Sequence, residues 1–192
     1  MAVEFEIKFL ATPEQQAQIS RVCNGTRTQL HMETTYYDTP AGDLSARFFT
    51  LRRRMENQVS VCTLKIPAEG GRGEFEVSCD TIEKALPELC RLSGVAELPA
   101  LLEKGLVPVC GAKFDRTAIL LERPDCTLEL ALDRGVLTGG EREIPLCEVE
   151  VELKSGDREG AKAYAAMLQV AYGLTKERKS KFRRALDLAK GE

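Results

Sequence analysis

Two carboxylates and an ammonium occupy alternate positions near the start of the sequence: Glu4, Glu6 and Lys8, separated by Phe5 and Ile7. The arrangement returns late in the chain as Glu148, Glu150, Glu152 and Lys154, separated by Val149, Val151 and Leu153. In an extended strand alternate residues share a face about 6–7 Å apart. Three aligned glutamates therefore repel one another. A hard divalent cation such as Mg²⁺ or Mn²⁺ takes carboxylate oxygens and relieves that repulsion. For residues 3–10 alone, a solvated charged edge opposite the apolar face of Val3, Phe5, Ile7 and Phe9 is the better reading.

Bases and further acids follow the same alternation. Arg52 shares a face with Arg54, Thr63 with Lys65, and Arg72 with Glu74 and Glu76. Glu129 and Asp133 lie opposite Leu128, Leu130 and Leu132, and Arg116 sits in another β-prone run. Arginine binds phosphate oxygens in bidentate fashion and lysine adds a point charge. Dispersed bases beside aligned carboxylates suit a polyanionic phosphate held together with a metal ion. Alternation by itself does not decide whether the charged or the apolar faces point inward.

The elements that carry these residues read as eight strands, at about 3–10, 31–38, 46–54, 58–66, 73–79, 112–121, 125–134 and 143–154. Thr39–Asp43 reads as a turn, Glu56-Asn57 as a tight hairpin, and Pro67–Gly71 and Thr138–Gly140 as flexible loops. Thr12 caps a helix with Pro13 at its first position. Further helices are expected at about 81–92, 97–104, 157–172 and 178–189. The fold class is α+β: an eight-stranded antiparallel barrel flanked by helices. We expect one domain over 1–192, with a helical segment from about 157 to the end. Eight strands enclose room for packed side chains or for one small ligand.

Composition narrows the setting. In 192 residues, 43% are apolar and 30% charged, enough for a core, and the net charge of −3 gives no overall field toward nucleic acid or an anionic membrane. Seven cysteines without a Cys-x-x-Cys spacing argue for reduced thiols over zinc or a disulfide framework. The start of the chain lacks a secretory pattern, and no apolar run reaches the roughly 18 residues that span a bilayer. The expected location is the cytoplasm, with no membrane or nucleic-acid partner.

Several blocks, in order along the chain, resemble the CYTH superfamily, the triphosphate tunnel metalloenzymes. They are Glu4-x-Glu6-x-Lys8, Tyr36-Tyr37-Asp38-Thr39-Pro40, Leu51-Arg52-Arg53-Arg54, Thr63-Leu64-Lys65, Arg72-Gly73-Glu74-Phe75-Glu76, Glu129–Asp133, Glu148–Gly156 and Lys179-Ser180-Lys181-Phe182-Arg183. The resemblance implies a tunnel with the charged faces inside. By carry-over, Glu4, Glu6, Glu148, Glu150 and Glu152 would hold one or two Mg²⁺ or Mn²⁺ ions. Lys8, Arg52, Arg54, Lys65 and Arg116 would grip phosphates, with Lys179, Lys181 and Arg183 closing the tunnel from the last helix. Glu74, Glu76, Glu129 and Asp133 would orient these bases or bind a second metal. The catalytic set would be Lys8, Arg52, Arg54, Lys65, Arg116 and Glu150.

The activity implied is metal-dependent hydrolysis of inorganic triphosphate to pyrophosphate and phosphate. Class IV adenylate cyclases, thiamine triphosphatases and RNA triphosphatases share the tunnel, so nucleoside, thiamine and RNA 5′-triphosphates remain alternatives. A non-catalytic polyphosphate- or nucleotide-binding module is another, and a homodimer is open. His31 reads as a strand-edge or surface residue. Tyr36 and Tyr37 could stack on an organic ring, with strand packing the better reading. Ala161, Ala165, Leu168 and Tyr172 read as a face packed on the barrel. Lys154 suits either the tunnel mouth or solvent, and at most one of Arg183 and Arg184 faces the lumen.

Overall fold

The computed structural model describes residues 3–69 and 71–191. The elements in chain order are β1 (Val3–Glu4), β2 (Glu6–Leu10), α1 (Pro13–Val22), β3 (Thr26–Asp38), α2 (Asp43–Ala46), β4 (Thr50–Glu56), β5 (Val59–Ala68), β6 (Gly71–Ser78), α3 (Ile82–Ser93), α4 (Leu98–Leu102), β7 (Val107–Glu122), β8 (Cys126–Gly139), β9 (Arg142–Gly156), α5 (Arg158–Tyr172), β10 (Thr175–Glu177) and α6 (Lys181–Lys190). All eight expected strands are present. The first is divided at Phe5, and β10 is an addition that pairs with β2.

The strands form one antiparallel sheet in the order β1-β6-β5-β4-β3-β7-β8-β9-β2-β10. Glu4 pairs with Arg72 on β6, whereas Glu6 and Lys8 pair with Glu152 and Glu150 on β9. A single segment, residues 3–10, thus serves strands far apart in the sheet. Its switch at Phe5 brings those strands around one lumen.

Helices cover the outward faces because those faces are apolar. Val149, Val151, Leu128, Leu130, Leu132 and Phe9 pack beneath α1 and α5, where Ile19, Ala161, Ala165 and Leu168 complete the cluster. On the other side Leu51, Cys62 and Leu64 pack against α2, α3 and α4. The third cluster lies on the inward faces: Met32, Tyr36, Ala112, Phe114, Leu137 and Leu146 surround Phe182, Ala185 and Leu186 of α6. A Cβ on Gly139 would come within 2.5 Å of the Ala185 carbonyl and the Ala189 amide, so glycine lets α6 seat directly on β8.

Local chemistry sets the boundaries. Thr12 and Gln15 form a capping box ahead of α1. Ser180 caps α6 and starts it at Lys181, three residues later than expected. The expected strand 46–54 begins only at Thr50, because buried Asp38 accepts the amides of Thr39, Leu44 and Ser45 and winds α2 ahead of it. The expected loop at Pro67–Gly71 is mostly strand, with Ala68 paired with Gly71; Gly70 lies outside the described residues. All seven cysteines are free. No helix among the described residues is long and apolar enough to cross a membrane.

Candidate active site

The inward faces of the strands enclose a cavity of about 300 Å³. Its wall alternates in sign. On β3 and β4, Tyr36 and Thr34 lie opposite Arg52 and Arg54, and on β5 and β6 Lys65 lies opposite Glu74. Glu4, Glu6 and Lys8 of the divided first strand, Arg116 of β7, Glu129 of β8, Glu150 and Glu152 of β9 and Lys181 of α6 complete the charged lining.

Two groups of carboxylates behave differently. The inner group is Asp133, Glu148 and Glu150, all buried, with carboxylate oxygens that all lie within 4.8 Å of one another. That spacing would admit a metal, but the Lys181 ammonium already fills it, at 2.8 Å from Asp133, 2.7 Å from Glu148 and 2.6 Å from Glu150. Arg116 adds a fork, with Nε donating to Asp133 Oδ1 at 2.7 Å and Nη2 to Glu150 Oε2 at 2.6 Å. Arg184 donates to Glu148 from the other side. Three acids therefore meet three bases. Burial alone would raise Glu150, yet Lys181 and Arg116 hold it far below the usual carboxylate range. Burial works against the Lys181 charge, but Asp133, Glu150 and Glu148 hold it firmly as ammonium.

The outer group is Glu4, Glu6, Glu129 and Glu152. Glu152 lies between Glu6 and Glu129 in the strand register. Three members of the group pair with lysines, and Glu129 has only a distant contact, 3.8 Å from Arg116. Lys8 bonds Glu6 at 2.9 Å, Lys154 bonds Glu152 at 2.9 Å and Lys65 bonds Glu4 at 2.6 Å. Burial raises Glu152, as do the carboxylates of Glu4 and Glu129, although Lys154 opposes them. This excess of negative charge is open to the lumen.

Opposite it the balance is positive. Arg54 is pulled down by burial and by the neighbouring guanidinium groups of Arg52 and Arg116, with Glu56 in partial compensation at 2.7 Å. The Arg52 Nε is buried without an acceptor. A crowded set of guanidinium groups repels itself, and an anion among them would relieve that repulsion.

The remaining expected residues divide between the lining and positions outside it. Lys179 and Arg183 both clamp Asp187 on α6, at 2.8 and 2.7 Å, and do not line the cavity. Arg184, not Arg183, reaches inward. Glu76 bonds Thr63 at 3.1 Å and Glu74 bridges Arg52 and Lys65. Tyr36 is buried against Phe182 with ring centroids 5.1 Å apart, and Tyr37 packs into the outer cluster under α3. Lys154 is at the mouth, 42% exposed. His31 bonds Asp115 on the outer surface.

Two contributors carried no assignment from sequence. Arg72 lines the cavity, and its alternation with Glu74 marks that face. Gln16 of α1 donates to the carbonyls of Asp133 and Glu148 at 2.9 and 2.8 Å, pinning the inner group from behind, and nothing in its sequence context signals this.

Comparison with known proteins agrees with this fold. A Haemophilus influenzae protein described as an inorganic triphosphatase is 32% identical over 164 residues, covering 82% of this chain and 47% of that protein. The chain thus spans about half the length of that relative. Among solved structures, a Hippeastrum protein studied as an adenylyl cyclase and described as having a dominant triphosphatase activity superposes with a TM-score of 0.65 at 20% identity, covering 100% of this chain and 97% of that one. A Pyrococcus horikoshii protein superposes with a TM-score of 0.61 at 22% identity, covering 97% and 99%. These two likenesses establish the fold alone. The CYTH domain family matches residues 2–186, and the chain belongs to that family.

Proposed function

We propose that the tunnel hydrolyses inorganic triphosphate to pyrophosphate and phosphate with the help of Mg²⁺ or Mn²⁺. The observation that carries this reading is the set of Arg52, Arg54 and Lys65 lining the lumen, with Arg54 under-compensated, facing the under-compensated carboxylates of the outer group. A linear triphosphate presents anionic oxygens to the first and shares a cation with the second. The Haemophilus relative's description supports the choice of substrate. Seven free thiols fit a cytoplasmic setting.

The donor set fits a hard divalent ion: Glu4, Glu6 and Glu152 offer oxygens only, and their present partners are exchangeable lysines. When bound, such an ion draws charge from phosphate oxygens and lowers the barrier to attack. This chain's own residues orient the substrate. Arg52 and Arg54 grip phosphate oxygens, and Lys65 and Lys8 add charge along the chain of phosphates. Burial opposes the Lys8 charge, but Glu6 and Glu150 raise its pKa, so Lys8 and Lys181 act as fixed cations and not as proton acceptors. Water attacks the terminal phosphorus as a carboxylate of the lumen takes its proton, the bond to the bridging oxygen breaks, and pyrophosphate leaves with that oxygen. Positioning and preorganised charge supply most of the rate.

The test is phosphate and pyrophosphate release from tripolyphosphate, ATP and thiamine triphosphate with Mg²⁺ and with Mn²⁺, alongside cyclic AMP formation. Equal amounts of pyrophosphate and phosphate from tripolyphosphate are expected. Cyclic AMP as the main product from ATP would overturn the assignment, and tight binding without turnover would make the tunnel a binding module.

A further inference from the structure

The connection from α2 to β4 passes through Phe48, Phe49 and Thr50. Phe49 is buried in the outer core and Thr50 lines the cavity. Phe48 is 77% exposed, the only exposed aromatic side chain among the described residues. Its backbone is left-handed, with φ of +60°. Glycine and asparagine tolerate that region, but a bulky aromatic is strained there. The one other non-glycine residue described with positive φ is Asn57 of the β4–β5 hairpin, where the residue suits the turn. Phe48 therefore bears strain and exposes apolar surface with no return from packing.

Its place gives that combination a use. Arg72 Nη2 donates to the Phe48 carbonyl at 3.0 Å and to Thr50 Oγ1 at 3.0 Å. Arg72 and Thr50 line the cavity, and the Phe48 backbone carbonyl is bonded to Arg72, so the Phe48 main chain borders residues of the lining although its side chain is not part of it. Lys65 pairs with Thr50 in the register, and Arg52 lies one step further along the same face of β4. A triphosphate held by Arg52 and Lys65 that carries an organic group on one end can direct that group out past Thr50 and Arg72, to the position of Phe48. Tyr36 and Tyr37, the aromatic alternatives nearby in sequence, are committed to packing.

We propose that Phe48 is a specificity-determining residue, a ring platform at the tunnel mouth on which the planar group of a triphosphate ester, such as a nucleobase, stacks while its phosphates occupy the lumen. This rests on the proposed function of the tunnel and extends it from inorganic triphosphate to ring-bearing esters. Inorganic triphosphate has no part that reaches Phe48, so the two ligand classes separate the contribution.

The test is calorimetric titration in EDTA with tripolyphosphate and with ATP, on the parent and on Phe48→Asn, Phe48→Gly and Phe48→Trp, together with melting temperatures. Phe48→Asn and Phe48→Gly are expected to weaken ATP roughly five- to tenfold, the lower end of base–aromatic stacking at an exposed site. Tripolyphosphate should change by less than about twofold, and Phe48→Trp should keep ATP binding at or above that of the parent. Removing the strain should leave the melting temperature of Phe48→Asn no lower than that of the parent. ATP binding that is absent in the parent, unchanged in the variants, or weakened in step with tripolyphosphate would overturn the proposal, as would a lower melting temperature for Phe48→Asn. A parent protein that binds no tripolyphosphate either in EDTA or with Mg²⁺ added would instead overturn the tunnel reading, and this proposal with it.

Discussion

The tunnel holds two acidic groups that look alike in sequence and differ in electrostatic condition. The inner group of Asp133, Glu148 and Glu150 is sealed and neutralised by Lys181, Arg116 and Arg184, which arrive from β7 and α6. The outer group of Glu4, Glu6, Glu129 and Glu152 faces the lumen; lysines pair with Glu4, Glu6 and Glu152, and Glu129 lies 3.8 Å from Arg116. Both began as aligned strand carboxylates. A buried carboxylate cluster needs fixed internal cations, because the desolvation cost is otherwise uncompensated. A cluster left to flexible lysines keeps its oxygens available to a ligand. Carboxylate proximity alone points to the inner group as a metal site, whereas the charge balance points to the outer one.

The largest expected effect tests the sealing. Lys181→Met leaves three buried carboxylates short of a cation and should cost about 3–5 kcal/mol of stability, measured by urea unfolding. If Mg²⁺ restored that loss, the inner group would be a metal site too and the contrast would collapse. Next come Glu4→Gln and Glu6→Gln, which should lower metal-dependent turnover by roughly 10²-fold, the scale of one preorganised charge contact, while the folded state persists. Full activity in either variant would remove the outer group from metal binding. Arg54→Gln relieves repulsion from Arg52 and Arg116, so its melting temperature should hold or rise while tripolyphosphate affinity falls about tenfold, near the value of a charged hydrogen bond. Loss of stability with unchanged affinity would show Arg54 to be structural.

The smallest effect is a difference of sign in pH dependence. Glu150 is held far below its ordinary value, so its contribution is full above the ordinary carboxylate range and is lost as pH falls through and below it. Glu152 is raised, so the folded state holds its proton more tightly than the unfolded chain does. That stability is present at low pH and is lost as pH rises through the raised value. Melting curves from about pH 4 to about pH 7 should show Glu150→Gln losing stability chiefly at the higher pH. Glu152→Gln should approach or exceed the parent there. The same slope in both variants would erase the distinction between these two residues; within the inner group burial also raises Glu148, so the sign belongs to Glu150 and not to the whole group.

Much of the fold was legible because its strands alternate cleanly. Glu148 to Leu153 and Glu4 to Phe9 announce two faces each, and all eight strands formed where such runs occur. The failures were local. The start of β4 depended on Asp38 capping α2, and β10 is three residues long, too short to show a period. At the site, alternation exposed most of the lining, including Arg52, Arg54 and Lys65. It could not assign Lys179, Arg183 and Arg184, because on a helix the inward residue depends on how the helix is rotated against its neighbours.

The sequence by itself determined which residues share a face, since a strand's period of two follows from backbone geometry whatever surrounds it. It also determined, through ordered family blocks, that the charged faces line a tunnel. Only the tertiary structure decided which carboxylates remain available. That depends on where α6 delivers Lys181 and where β7 delivers Arg116, contacts between residues 31 and 34 positions apart from Glu150 in the chain. No local period encodes such pairings, because they are set by the packing of one element against another.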